Sequence, residues 1–160
     1  MQYIYMAVMA LAIVGLDQYT KYLVLTNIGL HQSVPAIPGL FNFTYVQNTG
    51  AAWSSFQGQQ WLFVTVFLLF TAAVIYEFST KKMGFSTFER WCIVAIYAGG
   101  LGNMIDRVRL GYVVDMVNLE FMNFPVFNVA DSFICCGCAA LIVSLLFFNK
   151  GFWKDGKKCA

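Results

Sequence analysis

Residues 3–25 read YIYMAVMALAIVGLDQYTKYLVL. A membrane-crossing helix needs about 20 mostly apolar residues. This stretch supplies them, with Asp17 and Lys21 as its only charged interruptions. The two stand at i and i+4, so they share one helix face and can pair there. Ionisable groups inside an apolar segment are costly and mark function by default.

Three further stretches have the same apolar character, at about 59–77, 91–106 and 131–148. Whole-chain composition agrees: 59% of the residues are hydrophobic and 11% are charged, against about 45–50% and about 25% in average soluble domains. Disorder is excluded, because it needs low hydrophobicity and high net charge. A nucleic-acid partner is excluded as well, since the net charge is +2 and no basic stripe runs through the aromatics. The expected architecture is a single domain over 1–160 with four transmembrane helices, at about 3–25, 59–77, 91–106 and 131–148. The N-terminal stretch lacks the positive n-region and small-residue cleavage pattern of a signal peptide, so it reads as a retained first helix.

Lys and Arg in short loops set orientation. Lys81, Lys82 and Arg90 follow the second segment, and Lys150, Lys154, Lys157 and Lys158 follow the fourth. The loop at 26–58 has no Lys or Arg. Both termini are therefore expected in the cytoplasm, with the loops at 26–58 and 107–130 facing outward. Phe41–Tyr45 alternates aromatic with polar residues, the period of a half-buried strand, and Pro35, Pro38 and Gly39 read as turns before it. Gly111–Phe121 is rich in β-branched and aromatic residues and is expected to pair with that strand in a small outer sheet.

Asp17, Asp106, Asp115 and Asp131 all fall near the outer interface. At about 1.5 Å per residue, Asp17 lies roughly 24 Å along its helix, most of the hydrocarbon thickness. Two carboxylates meeting there repel each other and share a proton. One then activates a water while the other donates to a carbonyl oxygen, which is general base and general acid from one residue type. That chemistry needs no metal, no cofactor and no nucleophilic side chain. The other employment of these acids is capping and ion pairing, and Asp131 before a helix is a good N-cap. Two other function classes stand beside it, an ion-coupled transporter and an assembly factor binding partners through the outer sheet. Against the transporter, the acids gather at one face rather than at the midplane, and no inverted repeat is evident.

The motifs choose among these. Asp17-Gln18-Tyr19-Thr20-Lys21 ends the first helix, and Asn48-Thr49-Gly50-Ala51-Ala52-Trp53-Ser54 follows the outer strand. Gly99-Gly100-Leu101-Gly102-Asn103-Met104-Ile105-Asp106-Arg107 closes the third helix. Gly111-Tyr112-Val113-Val114-Asp115 follows, and Phe127-Asn128-Val129-Ala130-Asp131 opens the fourth helix. This ordered set resembles the lipoprotein signal peptidases, the bacterial signal peptidase II family.

The resemblance implies an aspartic endopeptidase of the bacterial cytoplasmic membrane. Such enzymes remove signal peptides from diacylglyceryl-modified prolipoproteins, cutting before the lipidated cysteine. It implies four membrane helices, a small extracytoplasmic sheet and a short surface helix. It also implies membrane lipids as surroundings and inhibition by the cyclic peptide globomycin. The catalytic pair falls on Asp115 and Asp131, and the supporting or substrate-binding positions on Asp17, Lys21, Asn48, Gly50, Asn103, Asp106, Arg107, Asn128 and Ala130. The chain departs from the family pattern in three places: Trp53 stands where Phe is usual, the run that usually reads Gly-Gly-Ala-x-Gly-Asn is here Ala98-Gly99-Gly100-Leu101-Gly102-Asn103, and the loop from Glu120 to Val126 is short.

The residue types leave some roles open. The planar fork of Arg107 can clamp a substrate carbonyl or lipid ester, or pair with Asp106 or Asp17. The uncharged Asn48, Asn103 and Asn128 can hold an extended peptide or orient the aspartates, while Asn128 can also simply organise its turn. Edge pairing along Phe41–Tyr45 would support an extended substrate. Cys135, Cys136 and Cys138 lie in the apolar fourth segment and read as small packing residues.

Overall fold

The structure is a computed structural model that describes residues 1–51, 55–149 and 152. Helix α1 spans Gln2–Asn27, strand β1 Ser33–Ile37, strand β2 Phe41–Asn48 and helix α2 Gln60–Thr80. Helix α3 spans Thr87–Leu110, strand β3 Val113–Leu119 and helix α4 Val129–Val143, which runs on into a π-helical turn at Ser144–Phe148. Among the described residues three helical stretches are long and apolar enough to cross a membrane: Gln2–Asn27, Gln60–Thr80 and Val129–Phe148. Among the described residues, no helix stands in either outer connection; Ala52, Trp53 and Ser54 lie outside them. So do Lys150, Lys154, Lys157 and Lys158 of the basic tail, together with Trp153, Asp155 and Cys159.

Helix α3 is the hub, packed against α1, α2 and α4. Its buried residues include Cys92, Ile93, Val94, Ala98, Gly99, Gly102, Asn103 and Asp106. Lipid tails are as apolar as leucine, so helices in a bilayer associate through close packing and polar contacts. The glycines provide the first. A Cβ at Gly99 would stand 2.5 Å from the Ala130 carbonyl oxygen, and one at Gly102 would stand 2.5 Å from Asp17 Oδ2. Gly99→Ala is therefore expected to cost about 1–3 kcal/mol, as overpacking does. Gly15→Ala meets nothing within 4 Å and should leave stability level or slightly raised. Thermal unfolding of both variants in detergent checks the contrast.

Helix α3 runs past the expected 91–106 at both ends. Ser86 and Glu89 form a capping box at its start, and Gly111 ends it in the left-handed region at φ 81°. Arg107 and Arg109 are thus in the last helical turn, where cations complement the helix dipole. At the opposite end from the sheet, two acids, Glu77 and Glu89, are buried. Glu77 accepts from Arg90 Nη2 at 2.9 Å and from the Met83 amide at 3.0 Å. Glu89 accepts from Ser144 Oγ at 2.8 Å and Asn149 Nδ2 at 2.7 Å, joining α3 to the π-helical turn.

The sheet is antiparallel with order β1-β2-β3. Gly111–Phe121 does pair with the Phe41–Tyr45 stretch, but β2 is central and β1 covers its other side. Pro35, expected in a turn, lies within β1 opposite Asn42. Proline is tolerated there because β1 is an edge strand. Glu120 closes the sheet's far corner, accepting from the Gly39 amide at 2.6 Å and Asn42 Nδ2 at 3.0 Å. Val24, Tyr45, Val114 and Met116 form a small core between α1 and the sheet. Val114 and Met116 flank Asp115 in β3. Side chains alternate along a strand, so anchoring these two turns Asp115 to the other face.

Candidate active site

Asp115 on β3 and Asp131 in the first turn of α4 reach the same cavity of about 500 Å³, which Asn48, Gly50, Asn103 and Arg107 also line. Asn128 connects the two acids. Its Nδ2 donates to Asp115 Oδ1 at 2.7 Å, and its backbone amide donates to Asp131 Oδ2 at 3.2 Å. Its Oδ1 accepts from the Asp131 amide at 2.9 Å. Asn128, not Asp131, is therefore the N-cap of α4, and Asp131 is the N3 residue of a capping box. Of the three functions open to Asn128 in the sequence, these contacts match two, the turn and the orientation of the acids.

Each acid has one more asparagine. Asn48 Nδ2 donates to Asp115 Oδ2 at 2.9 Å, and Asn103 Nδ2 donates to Asp131 Oδ1 at 2.7 Å. Asn48 also holds the loop after β2, since its Oδ1 accepts from the Gly50 amide at 2.9 Å. Burial pushes the Asp115 carboxyl up to about 7, and the neighbouring Asp131 charge adds to the rise against the opposing asparagine donors. The ordinary value is 3.8. As pH rises, the unfolded chain releases this proton first, so the folded protein binds more protons between about pH 4 and 7. Asp115 thus favours folding most below pH 4, and that contribution is lost as pH rises through 7. Melting curves of the wild type should fall across that window, and those of Asp115→Asn should fall less.

Beneath the pair lies a buried ionic cluster. Lys21 Nζ meets Asp17 Oδ2 at 2.8 Å, Asp106 Oδ2 at 2.9 Å and Asn103 Oδ1 at 2.9 Å. Asp17 Oδ1 accepts from the Ala130 amide at 2.9 Å, next to Asp131. Asp106 Oδ2 accepts from the Val114 amide at 3.1 Å, next to Asp115. The cluster therefore sets the backbone beside both acids. Gln18 had no role in the sequence reading. Its Nε2 reaches Asp106 Oδ1 at 2.9 Å and the Gly102 carbonyl at 3.1 Å. Gln18 follows Asp17 by one residue, about 100° round the helix, so spacing gave no hint that it serves the same cluster.

Arg107 pairs with neither Asp17 nor Asp106, because Lys21 takes both. Its Nη2 donates to the Gly50 carbonyl at 2.8 Å, and its guanidinium lies 4.3 Å from the Phe63 ring centre. Its buried Nε has no partner among the described residues. The opposite wall of the cavity is apolar, built from Phe124–Phe127 and Ile134. Cys135 and Cys136 complete that wall and are exposed, not packed as expected. Among the described residues no cluster of His, Cys, Asp and Glu suits a metal ion.

This arrangement of apolar helices under a three-stranded sheet matches solved structures. One bacterial membrane enzyme, solved at 2.3 Å by the in meso method, superposes with a TM-score of 0.85 at 34% identity, covering 92% of this chain and 90% of that one. A second, at 1.9 Å, gives 0.81 at 34% identity, covering 90% and 94%. The fold is that of a membrane enzyme. The family model for signal peptidase (SPase) II matches residues 9–147. The lipoprotein signal peptidase of Streptococcus thermophilus strain CNRZ 1066 is 45% identical over 145 residues, 91% of this chain and 90% of its own length. That of Streptococcus pyogenes serotype M2 is 42% identical over 143 residues, 89% of each. The chain belongs to the signal peptidase II family of lipoprotein-processing peptidases.

Proposed function

We propose that this protein is an aspartic endopeptidase that removes signal peptides from diacylglyceryl-modified prolipoproteins, cutting before the lipidated cysteine, with Asp115 and Asp131 as its catalytic pair. The observation that carries the reading is the tie through Asn128, which joins both carboxyl groups over one cavity. The pair holds one proton near neutral pH, and its titration belongs to both groups. The ionised member takes a proton from water as the oxygen attacks the scissile carbonyl. The protonated member gives its proton to the carbonyl oxygen. The tetrahedral diol then collapses, a proton passes to the leaving amine, and the shared proton is restored. Below the lower apparent pKa the base is lost, and above the upper one the acid is lost. kcat/KM is expected to be bell-shaped in pH, with its alkaline limb near the Asp115 value of about 7.

The surrounding residues have matching roles. Asn48, Asn103 and Asn128 aim the carboxyl groups, and the guanidinium of Arg107, which lines the same cavity, is a donor for a substrate carbonyl. Lys21, Asp17, Asp106, Gly50 and Ala130 support them. We further propose that α3 crosses the bilayer with the other three helices, as one domain. The termini are then cytoplasmic, and the pair lies at the outer face, where the diacylglyceryl chains remain in lipid. The test uses purified protein and a synthetic diacylglyceryl lipopeptide precursor followed by mass spectrometry. Cleavage before the modified cysteine, blocked by globomycin, supports the reading. An intact precursor, or cleavage of the unlipidated peptide at equal rate, overturns it.

A further inference from the structure

A scissile peptide is cut in an extended form, and extended peptides bind by adding to an unpaired strand edge. Strand β2 has no such edge, since β1 and β3 flank it. The outer edge of β1 is not part of the cavity wall. On the loop after β2, the Gly50 amide is held by Asn48, its carbonyl by Arg107, and the Ala51 amide by the Ser55 carbonyl. Strand β3 is covered by Phe127, whose amide donates to the Val117 carbonyl at 3.1 Å and whose carbonyl accepts from the Val117 amide at 2.7 Å.

That last contact leaves an opening one residue back. Consecutive residues of an extended chain direct their backbone groups to opposite edges. Phe127 spends both of its groups on β3, so Val126 presents both of its groups to the other edge. Among the described residues neither the Val126 amide nor its carbonyl has a hydrogen-bond partner. Val126 lines the same cavity as Asp115 and Asp131. Pro125 holds the approach at a fixed φ, which suits a strand edge.

We infer that Val126 is the backbone docking point for the substrate: the peptide lies antiparallel to residues 124–126, and one of its residues exchanges two hydrogen bonds with the Val126 amide and carbonyl. This rests on the peptidase reading and deepens it. The recognised feature is the peptide's main chain, so it explains how one site serves signal peptides of differing side chains. Val126 is a positioning residue here, acting through its backbone.

Single amide-to-ester replacements along the lipopeptide precursor test this. In the wild type, one position is expected to lose roughly five-fold in kcat/KM, as one hydrogen bond does, while the residues on either side of it change little. In Val126→Pro, which lacks the amide that meets the peptide carbonyl, the all-amide precursor should be cut more slowly, mainly through KM, while the ester at that one position should still cost, because the N–H it removes pairs with the Val126 carbonyl, which proline keeps. Val126→Ala keeps the amide and should keep the ester pattern. A flat ester scan in the wild type overturns the inference, whether or not the proline variant folds. So does a KM for the all-amide precursor that Val126→Pro, folded as the wild type, leaves unchanged while Val126→Ala does the same. Cleavage with a flat scan leaves the peptidase reading standing, whereas failure to cut the all-amide precursor overturns both.

Discussion

Asp115→Asn and Asp131→Asn are each expected to lower cleavage of the lipidated precursor by about 10³-fold or more, the scale of a lost general acid or base. The two losses should not multiply, because each variant already lacks the one-proton state that the pair shares. The double variant should be about as slow as either single one. Folding should survive, since every hydrogen bond to these carboxyl groups comes from an amide N–H that an Asn oxygen can also accept. Only one oxygen remains, however. Asn48 and Asn128 both donate to Asp115, and Asn103 and the Asn128 backbone both donate to Asp131. One donor in each case then faces an NH₂ group, costing about 1–3 kcal/mol. At pH 8 the lost charge of Asp115 offsets part of this cost. A variant that keeps a tenth of wild-type cleavage would remove its aspartate from the chemistry.

Most of this site was legible because chemistry restricts its residue types. Carboxylates in an apolar chain of so few charges must have partners, and helix length along the sequence puts their motifs at one expected depth. What was hidden depends on which group reaches first. The i, i+4 spacing pairs Lys21 with Asp17, but Lys21 and Arg107 are both cations near Asp106, and nothing in the spacing says which one takes it. The fold decides: Lys21 is on the same helix face as Asp17, while Arg107 is one residue beyond Asp106 on α3 and turned toward Gly50 and Phe63. Strand β1 was hidden by its proline, which reads as a turn in sequence and is harmless on an edge. The burial of Glu77 and Glu89 was hidden as well, because a Glu among lysines looks solvated until its helix neighbours are known. The wall at Phe124–Phe127 carries no polar signal, although it holds the backbone proposed to receive substrate.

The largest loss of stability is expected from Lys21→Met. Lys21 is 2% exposed, Asp17 0% and Asp106 3%, so the ammonium is the charge that makes two buried carboxylates tolerable. Its three donors are spent on Asp17, Asp106 and Asn103. Removing one partner of a buried pair costs about 3–5 kcal/mol, because the remaining charge stays desolvated. Here two acids are stranded, and the cost should sit at the upper end, a fall of roughly 10 °C in apparent melting temperature. Lys21→Arg should not rescue it, since a planar fork does not match three acceptors converging on a point. Neutralising the acids should. Lys21→Met combined with Asp17→Asn and Asp106→Asn is expected to be more stable than Lys21→Met alone, as uncharged replacements of buried ion clusters often are. Activity should stay below the wild type in that triple variant, because the Asn103 carbonyl has lost one of its two donors, keeping only Asn128 Nδ2, and the orientation of its amide toward Asp131 is loosened. Stability regained without activity would separate the cluster's two effects, one on folding and one on the aim of Asp131. A Lys21→Met melting temperature within about 2 °C of the wild type would show that the buried charges are not what holds α1, α3 and α4 together.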